Sequence, residues 1–159
     1  MTRKGPATPE ERIQVVNEAW AQQWFKYVTP ETWDSNNYIA PMYTNDTARA
    51  EQVRQQVETA PLQVKIRYLT ELMASDHSSA LANLPVPLLV LRPAFNTTFL
   101  SDPANSYYKT MFQDSWDVFA TNPRIKLVTI PDARALIFDD QPQAADEAIA
   151  NFVGGIQKH

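Results

Sequence analysis

The chain has 159 residues, of which 44% are hydrophobic and 20% charged, and its formal net charge is −4. This length fits a single domain, and the hydrophobic share is enough for a core. The acidic balance and the lack of a Lys/Arg run exclude the electrostatic surface that attracts nucleic acid or an anionic membrane. No window approaches the roughly 18 apolar residues of a membrane span, and the absence of cysteine favours a reducing compartment. We therefore expect a cytoplasmic protein with no nucleic-acid or membrane partner.

Glycine is scarce, with only Gly5, Gly154 and Gly155 in the whole chain. A phosphate-cradling P-loop, a G-x-G-x-x-G dinucleotide turn, an EF-hand loop and a G-x-S-x-G nucleophile elbow each need glycines at fixed spacing. None of these motifs is present, so the sequence predicts no cofactor.

The first half of the chain predicts one helix after another. Residues 8–11, Thr-Pro-Glu-Glu, supply an N-cap, a proline at the first helical position and a capping-box glutamate, and apolar residues follow at helical spacing. Similar start signals stand at Thr29-Pro30, at Asn45-Asp46-Thr47 and at Pro61. No strand pattern occurs before residue 85, so we expect a helical region over residues 1–80.

The second half changes to a strand and helix alternation. The run LPVPLLVLRP at residues 84–93 is typical of a strand buried in a parallel sheet. A helix of about 18 residues is predicted after Asp102-Pro103, followed by a strand at residues 125–129 and a helix that Gly154-Gly155 ends. We predict that residues 86–91 and 125–129 are neighbouring parallel strands, because the helix between them has the length of a crossover connection.

From Arg54 onward, the order of these segments resembles the C-terminal half of an α/β-hydrolase. The shared order is a polar helix, a helix after a proline, LPVPLLVL, a helix, KLVTIPDA, IFDDQP and a terminal amphipathic helix. The helices before residue 80 are similar to the lid of that family. The resemblance implies a partial three-layer α/β fold, with a lid-like region at 1–80 and the C-terminal part of a hydrolase-like domain at 81–159.

Two positions depart from the family pattern. The resemblance puts Asn96 where the family has the catalytic Asp and Ala135 where it has the catalytic His. A neutral amide has no charge with which to stabilise an imidazolium, and a methyl group has no atom that accepts a proton. In the family, the nucleophile elbow and the oxyanion loop precede the lid, and nothing before Thr8 encodes them. The resemblance therefore implies a triad that is degenerate at both positions.

Two functions follow from this resemblance, and the sequence leaves both open. The first is a non-catalytic binding or partner subunit that is inactive alone. The alternative is the lid and pocket half of a serine hydrolase, acting on esters or other small apolar substrates with catalytic residues from another chain. Two or three short parallel strands leave an unpaired edge, so we expect a homo-oligomer or a companion chain that completes the sheet.

The remaining ionisable residues offer little for a separate site. His77 and His159 are the only histidines and lie far apart in sequence, so no metal site is predicted. A histidine near a helix end usually interacts with the helix dipole. The Asp139-Asp140 pair is interpreted as a solvated turn at the start of a helix, and not as a catalytic carboxylate pair.

Large aromatic side chains in the lid-like region have two interpretations. Trp20, Trp24, Trp33 and Tyr38, with Tyr43, would suit the wall of a pocket for a small apolar ligand. Trp20 and Trp24 at helical spacing would equally suit a core or an interface. Both interpretations stand at the level of sequence.

Overall fold

In the computed structural model, residues 8–36 and 40–156 are described, and they fall into two compact units. One unit contains residues 8–36 and 55–81, and the other contains residues 40–54 and 82–156. The division into regions 1–80 and 81–159 stays a prediction. Residues 40–54, however, belong to the same unit as both strands, and this placement brings them to the candidate site.

The first unit is helical, as the sequence predicts. The N-cap is confirmed, since the Thr8 hydroxyl accepts from the Glu11 N–H at 3.1 Å and the Glu11 carboxylate accepts from the Thr8 N–H at 3.3 Å. Its elements are α1 (Pro9–Val15), a π-helical segment (Val16–Ala21), α2 (Gln22–Tyr27), α3 (Pro30–Asn36), α6 (Leu62–Ala74) and α7 (Ser78–Ala82), whose last residue lies in the second unit. The regular helix expected after Thr8 is thus interrupted by the π-helical segment.

The packing of α6 against the N-terminal helices forms the core of this unit. Val16 and Ile66 are buried, and the hydroxyl of buried Thr70 donates to the Ile66 carbonyl at 3.0 Å. Arg12 and Asp76 form an ion pair at 3.1 Å. The sequence predicts an apolar stripe on α6 that consists of Leu62, Ile66, Leu69, Leu72 and Met73. This stripe is only partly buried, because Leu72 is exposed.

The second unit combines short helices with two strands. Its elements are α4 (Ala40–Tyr43), the part of α5 (Thr47–Glu58) up to Arg54, β1 (Leu88–Ala94), α8 (Thr97–Leu100), a 3-10 turn (Pro103–Asn105), α9 (Ser106–Phe112), a 3-10 segment (Asp114–Phe119), β2 (Ile125–Pro131), α10 (Ile137–Asp140) and α11 (Pro142–Ile156). The chain is therefore a mixed α/β protein, as expected.

The predicted parallel pairing of the two strands is confirmed, and the register runs from Leu88 opposite Ile125 to Ala94 opposite Pro131. The first strand begins two residues later than predicted. Pro87 has no N–H, so the first ladder bond of β1 is donated by Leu88, to the Arg124 carbonyl at 2.8 Å.

The alternation of the ladder explains why β1 tolerates an internal proline. Since Leu88 donates toward β2, the N–H groups of Leu89 and Leu91 point to the outer edge, and position 93 is next in that series. Pro93 therefore removes no bond to β2. By the same alternation, the N–H groups of Leu127 and Thr129 point to the outer edge of β2. The next outward position is 131, where Pro131 has no N–H. Within the described residues, both edges of this sheet lack a further strand.

Helices lie on both faces of the sheet. On one face, α11 packs through Ala145 against a cluster with Ile130, Ala133 and Ile137. On the other face, Arg92 donates to the Gln113 carbonyl at 3.2 Å and pairs with Asp117, which ties the crossover to the strand. The second unit is thus layered as helix, sheet and helix.

Two helix predictions in this half are wrong. The crossover is not one long helix, because it is broken at Gln113 (φ −113°, ψ −64°) into α9 and a 3-10 segment. The last helix does not end at Gly154-Gly155 but continues to Ile156. The sequence predicts that Ala145, Ile149, Phe152 and Val153 form the buried face of this helix. Of these residues, Ala145 is buried and Phe152 is half-buried, whereas Ile149 and Val153 are exposed.

A volume change at Ala145 tests this packing. Ala145 is 0% exposed, so Ala145→Leu should force the core apart and lower the free energy of unfolding by about 1 to 3 kcal/mol. Ala150→Leu, at an exposed position of α11, should change it by less than about 0.5 kcal/mol. Urea denaturation followed by circular dichroism measures both, and equal effects would contradict the assigned face of α11.

Candidate functional site at the carboxyl ends of the strands

The candidate site lies where both strands end. Asn96 follows β1, and residues 132–135 follow β2, at the same edge of the parallel sheet. This edge is where open α/β sheets usually bind ligands. The two positions that the resemblance assigns to the catalytic acid and base, Asn96 and Ala135, therefore both lie at the carboxyl edge.

Asn45 connects the ends of the two strands. Its Nδ2 donates to the Asp132 carbonyl at 2.7 Å, and its Oδ1 accepts from Asn96 Nδ2 at 3.4 Å. Asp132 has a φ of 50°, a left-handed conformation that Asp and Asn tolerate better than other residues with a side chain. The bond from Asn45 helps to hold this sharp turn.

Asn96 itself is a helix cap. Its Oδ1 accepts from the Phe99 N–H at 2.8 Å, which satisfies one of the free donors in the first turn of α8. The Oδ1 atom of Asn96 is thus used by the helix cap, and its Nδ2 atom by the bond to Asn45.

The carboxylate of Asp140 is the centre of the site. It accepts from the Thr44 hydroxyl at 2.5 Å, from the Asn45 N–H at 2.7 Å and from the Arg134 N–H at 2.7 Å. Thr44 is 1% exposed, so no substrate reaches its hydroxyl. The interpretation of Asp140 as a solvated turn residue is wrong, because its carboxylate joins two segments that are more than 90 residues apart.

The guanidinium group of Arg134 also links the turn after β2 to the segment that contains Thr44. Nη1 donates to the carbonyls of Pro41 and Thr44, the latter at 3.2 Å, and the guanidinium carbon lies 4.6 Å from the centre of the Phe99 ring. Burial lowers the pKa of Arg134, and the nearby Asp140 opposes this shift. The sequence alone predicts that Arg134 is a solvated charge at the strand end, with Asp132 and Asp139 as the nearby carboxylates. It instead contacts backbone carbonyls and an aromatic ring.

Ala135 contributes its backbone to the site. Its N–H donates to the Met42 carbonyl at 3.1 Å, and the next residue, Leu136, donates to the Tyr43 carbonyl at 2.7 Å. A cavity of about 440 Å³ opens beside it, lined by Arg49, Leu91, Leu136, Ile137, Phe138 and Asp139 as well as Ala135. The lining is mostly apolar, and its two charged residues, Arg49 and Asp139, are paired at 2.9 Å.

The described groups at this edge include no histidine or cysteine that could serve as a base or nucleophile. Two phenols lie close by. Burial raises the pKa of Tyr43, and Coulombic interaction with Tyr108 adds to this rise. Burial likewise raises the pKa of Tyr108, with a further contribution from Tyr107. Raised tyrosine pKa values keep both phenols neutral at physiological pH, so the arrangement suits packing and hydrogen bonding more than proton abstraction.

The aromatic residues that the sequence predicts for a pocket wall do not all lie in one unit. In the helical unit, Trp20 and Trp24 stack at 5.9 Å between ring centres, and Trp24 meets Trp33 edge-on at 6.3 Å. Tyr38 lies outside the described residues, and Tyr43 belongs to the other unit. A cavity of about 410 Å³ in the helical unit has Phe25, Val28, Thr29, Pro30, Pro61, Leu62, Gln63 and Ile66 along its wall. None of the three tryptophans lines this cavity.

Only one of the two histidines, His77, lies within the described residues. His77 lies between α6 and α7, and its carbonyl accepts from the Leu81 N–H at 2.9 Å. His159 is outside the described residues. Over the described ranges 8–36 and 40–156, no group of three or more His, Cys, Asp or Glu side chains is arranged to hold a metal ion.

Sequence reasoning missed Thr44, Asn45 and Asp140 as members of one network. The segment at 45–47 was interpreted only as a helix start, and that interpretation is correct as far as it goes, since Asp46 Oδ1 accepts from Ala48 and Arg49 N–H groups at 2.9 and 3.0 Å. No local pattern indicates that Asn45 also bonds to the distant turn after β2. Only folding brings these residues together.

Comparison with known proteins adds no relative. No protein-family model, no curated protein and no solved structure matches the chain. In the part of the chain that the structure describes, none of the helices is both long and apolar enough to cross a bilayer.

A pair of matched substitutions tests the role of Asp140. Asp140→Asn places an NH₂ group against N–H and O–H donors, so we expect a loss of about 1 to 3 kcal/mol in the free energy of unfolding. Asp139→Asn removes only the partly exposed pair with Arg49 and should cost no more than about 1 kcal/mol. Chemical denaturation at pH 7 measures both, and an equal or smaller loss for Asp140→Asn would rule out the assigned network.

Proposed function

We propose that the chain is a non-catalytic, α/β-hydrolase-like binding or partner subunit whose sheet is completed by strands of another chain. The observation that carries this proposal is the use made of the two degenerate triad positions. The Asn96 amide caps α8 and bonds to Asn45, while Ala135 contributes a backbone bond to Met42. Both positions thus stabilise the carboxyl edge and offer no proton-transfer group.

The open sheet supports the partner role. Parallel sheets in proteins are usually larger than two strands and are covered by helices on both faces. Here helices cover both faces of β1 and β2, but outward N–H groups remain at Leu89 and Leu91 on one edge and at Leu127 and Thr129 on the other. Such groups are a ready template for a further strand. Pro93 and Pro131 limit each edge at its carboxyl end, so an added strand would pair over the first part of either strand.

The alternative function is the lid and pocket half of a serine hydrolase whose catalytic groups come from another chain. The cavity beside Ala135 favours it, because a largely apolar cavity at the carboxyl edge of the sheet is where such a substrate would lie. The ion pair of Arg49 and Asp139 at this cavity has no net charge, which suits an uncharged ester better than a salt. This alternative requires a nucleophile and a base, and the described residues at the site include no histidine or cysteine that could supply them.

Chemical inertness is the first test of the proposal. The chain alone should not turn over short p-nitrophenyl esters and should not be labelled by a fluorophosphonate probe, because the probe needs an activated serine. The double substitution Asn96→Asp with Ala135→His should remain inactive, since no nucleophile elbow or oxyanion donors accompany the restored pair. Stoichiometric labelling of any serine in the unmodified chain would overturn the proposal.

Assembly state is the second test. We expect light scattering at micromolar concentration to give at least the mass of two chains, with about 1,000 Å² or more buried per partner. Leu89→Pro and Leu127→Pro each remove one outward N–H and no bond between β1 and β2. Whichever of the two substitutions lies at the edge that pairs with another chain should therefore reduce the oligomeric mass. The circular dichroism spectrum should stay the same. A soluble single chain that unfolds cooperatively would contradict the proposal.

A further inference from the structure

A third cavity lies at the opposite, amino end of the sheet. It has a volume of about 310 Å³ and is lined by Pro87, Pro123, Arg124, Lys126, Asn151, Phe152, Gly155 and Ile156. It is separate from the carboxyl-edge site in every lining residue. Its position follows from the topology, because α11 starts near the carboxyl ends of the strands and returns along the sheet toward their amino ends.

Both basic residues of this cavity lie near α11. Side chains of a strand alternate between faces, so Lys126 lies on the same face as Val128 and Ile130. Arg124, in the turn just before β2, lines the same cavity as Lys126 and the end of α11. That face is the one against which α11 packs. The two cations therefore meet the last turns of α11, where Phe152 and Ile156 form the apolar part of the wall.

Among the described residues that line this cavity, the charged side chains are all positive: two are cations, and none is Asp or Glu. Arg124 uses Nη1 to donate to the Pro85 carbonyl at 2.8 Å, which fixes the side chain and leaves further N–H donors. Lys126 is exposed, and among the described residues its ammonium group has no ion-pair partner. Although the chain has a net charge of −4, this cavity is positively charged and has an apolar wall beside its cations.

Gly155 keeps the cavity open. A Cβ atom added at Gly155 would meet nothing within 4 Å, and the same is true at Gly154, which does not line the cavity. Both glycines are helical, although glycine in a helix interior costs about 0.5 to 1 kcal/mol relative to alanine. The glycine at 155 therefore leaves space at the wall without any tight backbone contact that would require it.

We propose that this cavity binds a small amphipathic anion, specifically an aliphatic monocarboxylate. The carboxylate lies against Arg124 and Lys126, and the alkyl chain covers Phe152, Ile156 and the rings of Pro87 and Pro123. The volume is at the low end of the range of about 300 to 1,000 Å³ for ligand cavities, which selects a short chain. Charge complementarity between two cations and one carboxylate is what commits the site to this class.

The helix dipole opposes an anion here, but it does not decide the balance. The carbonyl end of α11 carries the equivalent of about half a negative charge, and its effect is confined to the last turn. Arg124 and Lys126 carry one full positive charge each on the sheet side of the cavity. The net field at the carboxylate is therefore positive, and added salt should weaken binding because the cations are partly exposed.

The test uses the whole chain and three probes that share one alkyl tail. Octanoate, octan-1-ol and octylammonium are titrated separately into ¹⁵N-labelled protein, and amide shifts are followed by NMR. Octanoate should give saturable shifts at Lys126, Phe152 and Gly155. Its Kd should be at least about threefold lower than that of octan-1-ol, the size expected from exposed ion pairs. Octylammonium should bind most weakly.

Matched substitutions localise the binding. Gly155→Leu should fill the cavity and remove saturable octanoate binding, whereas Gly154→Leu, with the same change in side chain and helix propensity, should keep it. Lys126→Gln should raise the octanoate Kd toward that of octan-1-ol, with Arg124 retaining part of the difference, whereas Lys65→Gln on α6, with the same change in charge, should leave it unaltered. Circular dichroism of each variant verifies that the helices persist.

Four results would overturn the assignment. These are equal affinity for octanoate and octan-1-ol, equal loss of binding in the two glycine variants, no saturable shift at millimolar octanoate, and a lower oligomeric mass for Gly155→Leu without octanoate binding to the unmodified chain. The last result would assign the cavity to a second copy of the chain. The first three outcomes do not bear on the proposed function, whose tests concern serine labelling and the sheet edges, whereas the last would move the contact between chains from the sheet edges to this cavity.

Discussion

The three hydrogen bonds accepted by the Asp140 carboxylate organise the candidate site. They link the turn after β2 to the segment that contains Thr44 and Asn45, and so they join parts of the chain that are more than 90 residues apart. A buried hydroxyl such as that of Thr44 needs a partner, because an unsatisfied buried donor costs about 1 to 3 kcal/mol. The carboxylate meets this need and fixes the backbone on both sides of the turn.

The same network explains why the residues at the two positions that the resemblance assigns to a catalytic acid and base are structurally useful. Asn96 and Ala135 belong to the two loops that Asn45 and the 42–43 backbone connect. An amide at position 96 supplies both a cap acceptor and a donor toward Asn45, whereas a carboxylate would supply only acceptors. The residues at these positions therefore suit rigidity of the carboxyl edge. They do not suit the proton transfers that the resemblance would otherwise imply.

The sheet leaves a different requirement unmet within the described residues. Its two faces are covered by helices, but its two edges expose backbone donors and acceptors. Pro93 on β1 and Pro131 on β2 lack an outward N–H, so they shorten the stretch of each edge that can pair with a further strand. The proposed partner role follows from these open edges. The small basic cavity at the amino ends of the strands has a different origin, because it forms where α11 passes over Arg124 and Lys126.

Local sequence signals determined the elements that depend on neighbours in the chain. The capping box at Thr8, the helix start after Asn45-Asp46-Thr47 and the parallel pairing of the apolar run with residues 125–129 all emerge from short patterns, and the structure confirms them. Such patterns act through the first turn of a helix or the alternation of a strand, so a few residues suffice to reveal them.

Tertiary structure decided the features that depend on distant partners. The break of the crossover at Gln113 accompanies the bond from Arg92 to its carbonyl, and Gly154-Gly155 stays helical although glycines usually end helices. The role of Asp140 could not be read from IFDDQP, because its partners Thr44 and Asn45 lie in another part of the sequence. Sequence alone thus determined where α1, α3, α5, α6 and β2 begin. Packing determined which polar groups meet, because hydrogen bonds between distant segments leave no periodic signal in the chain.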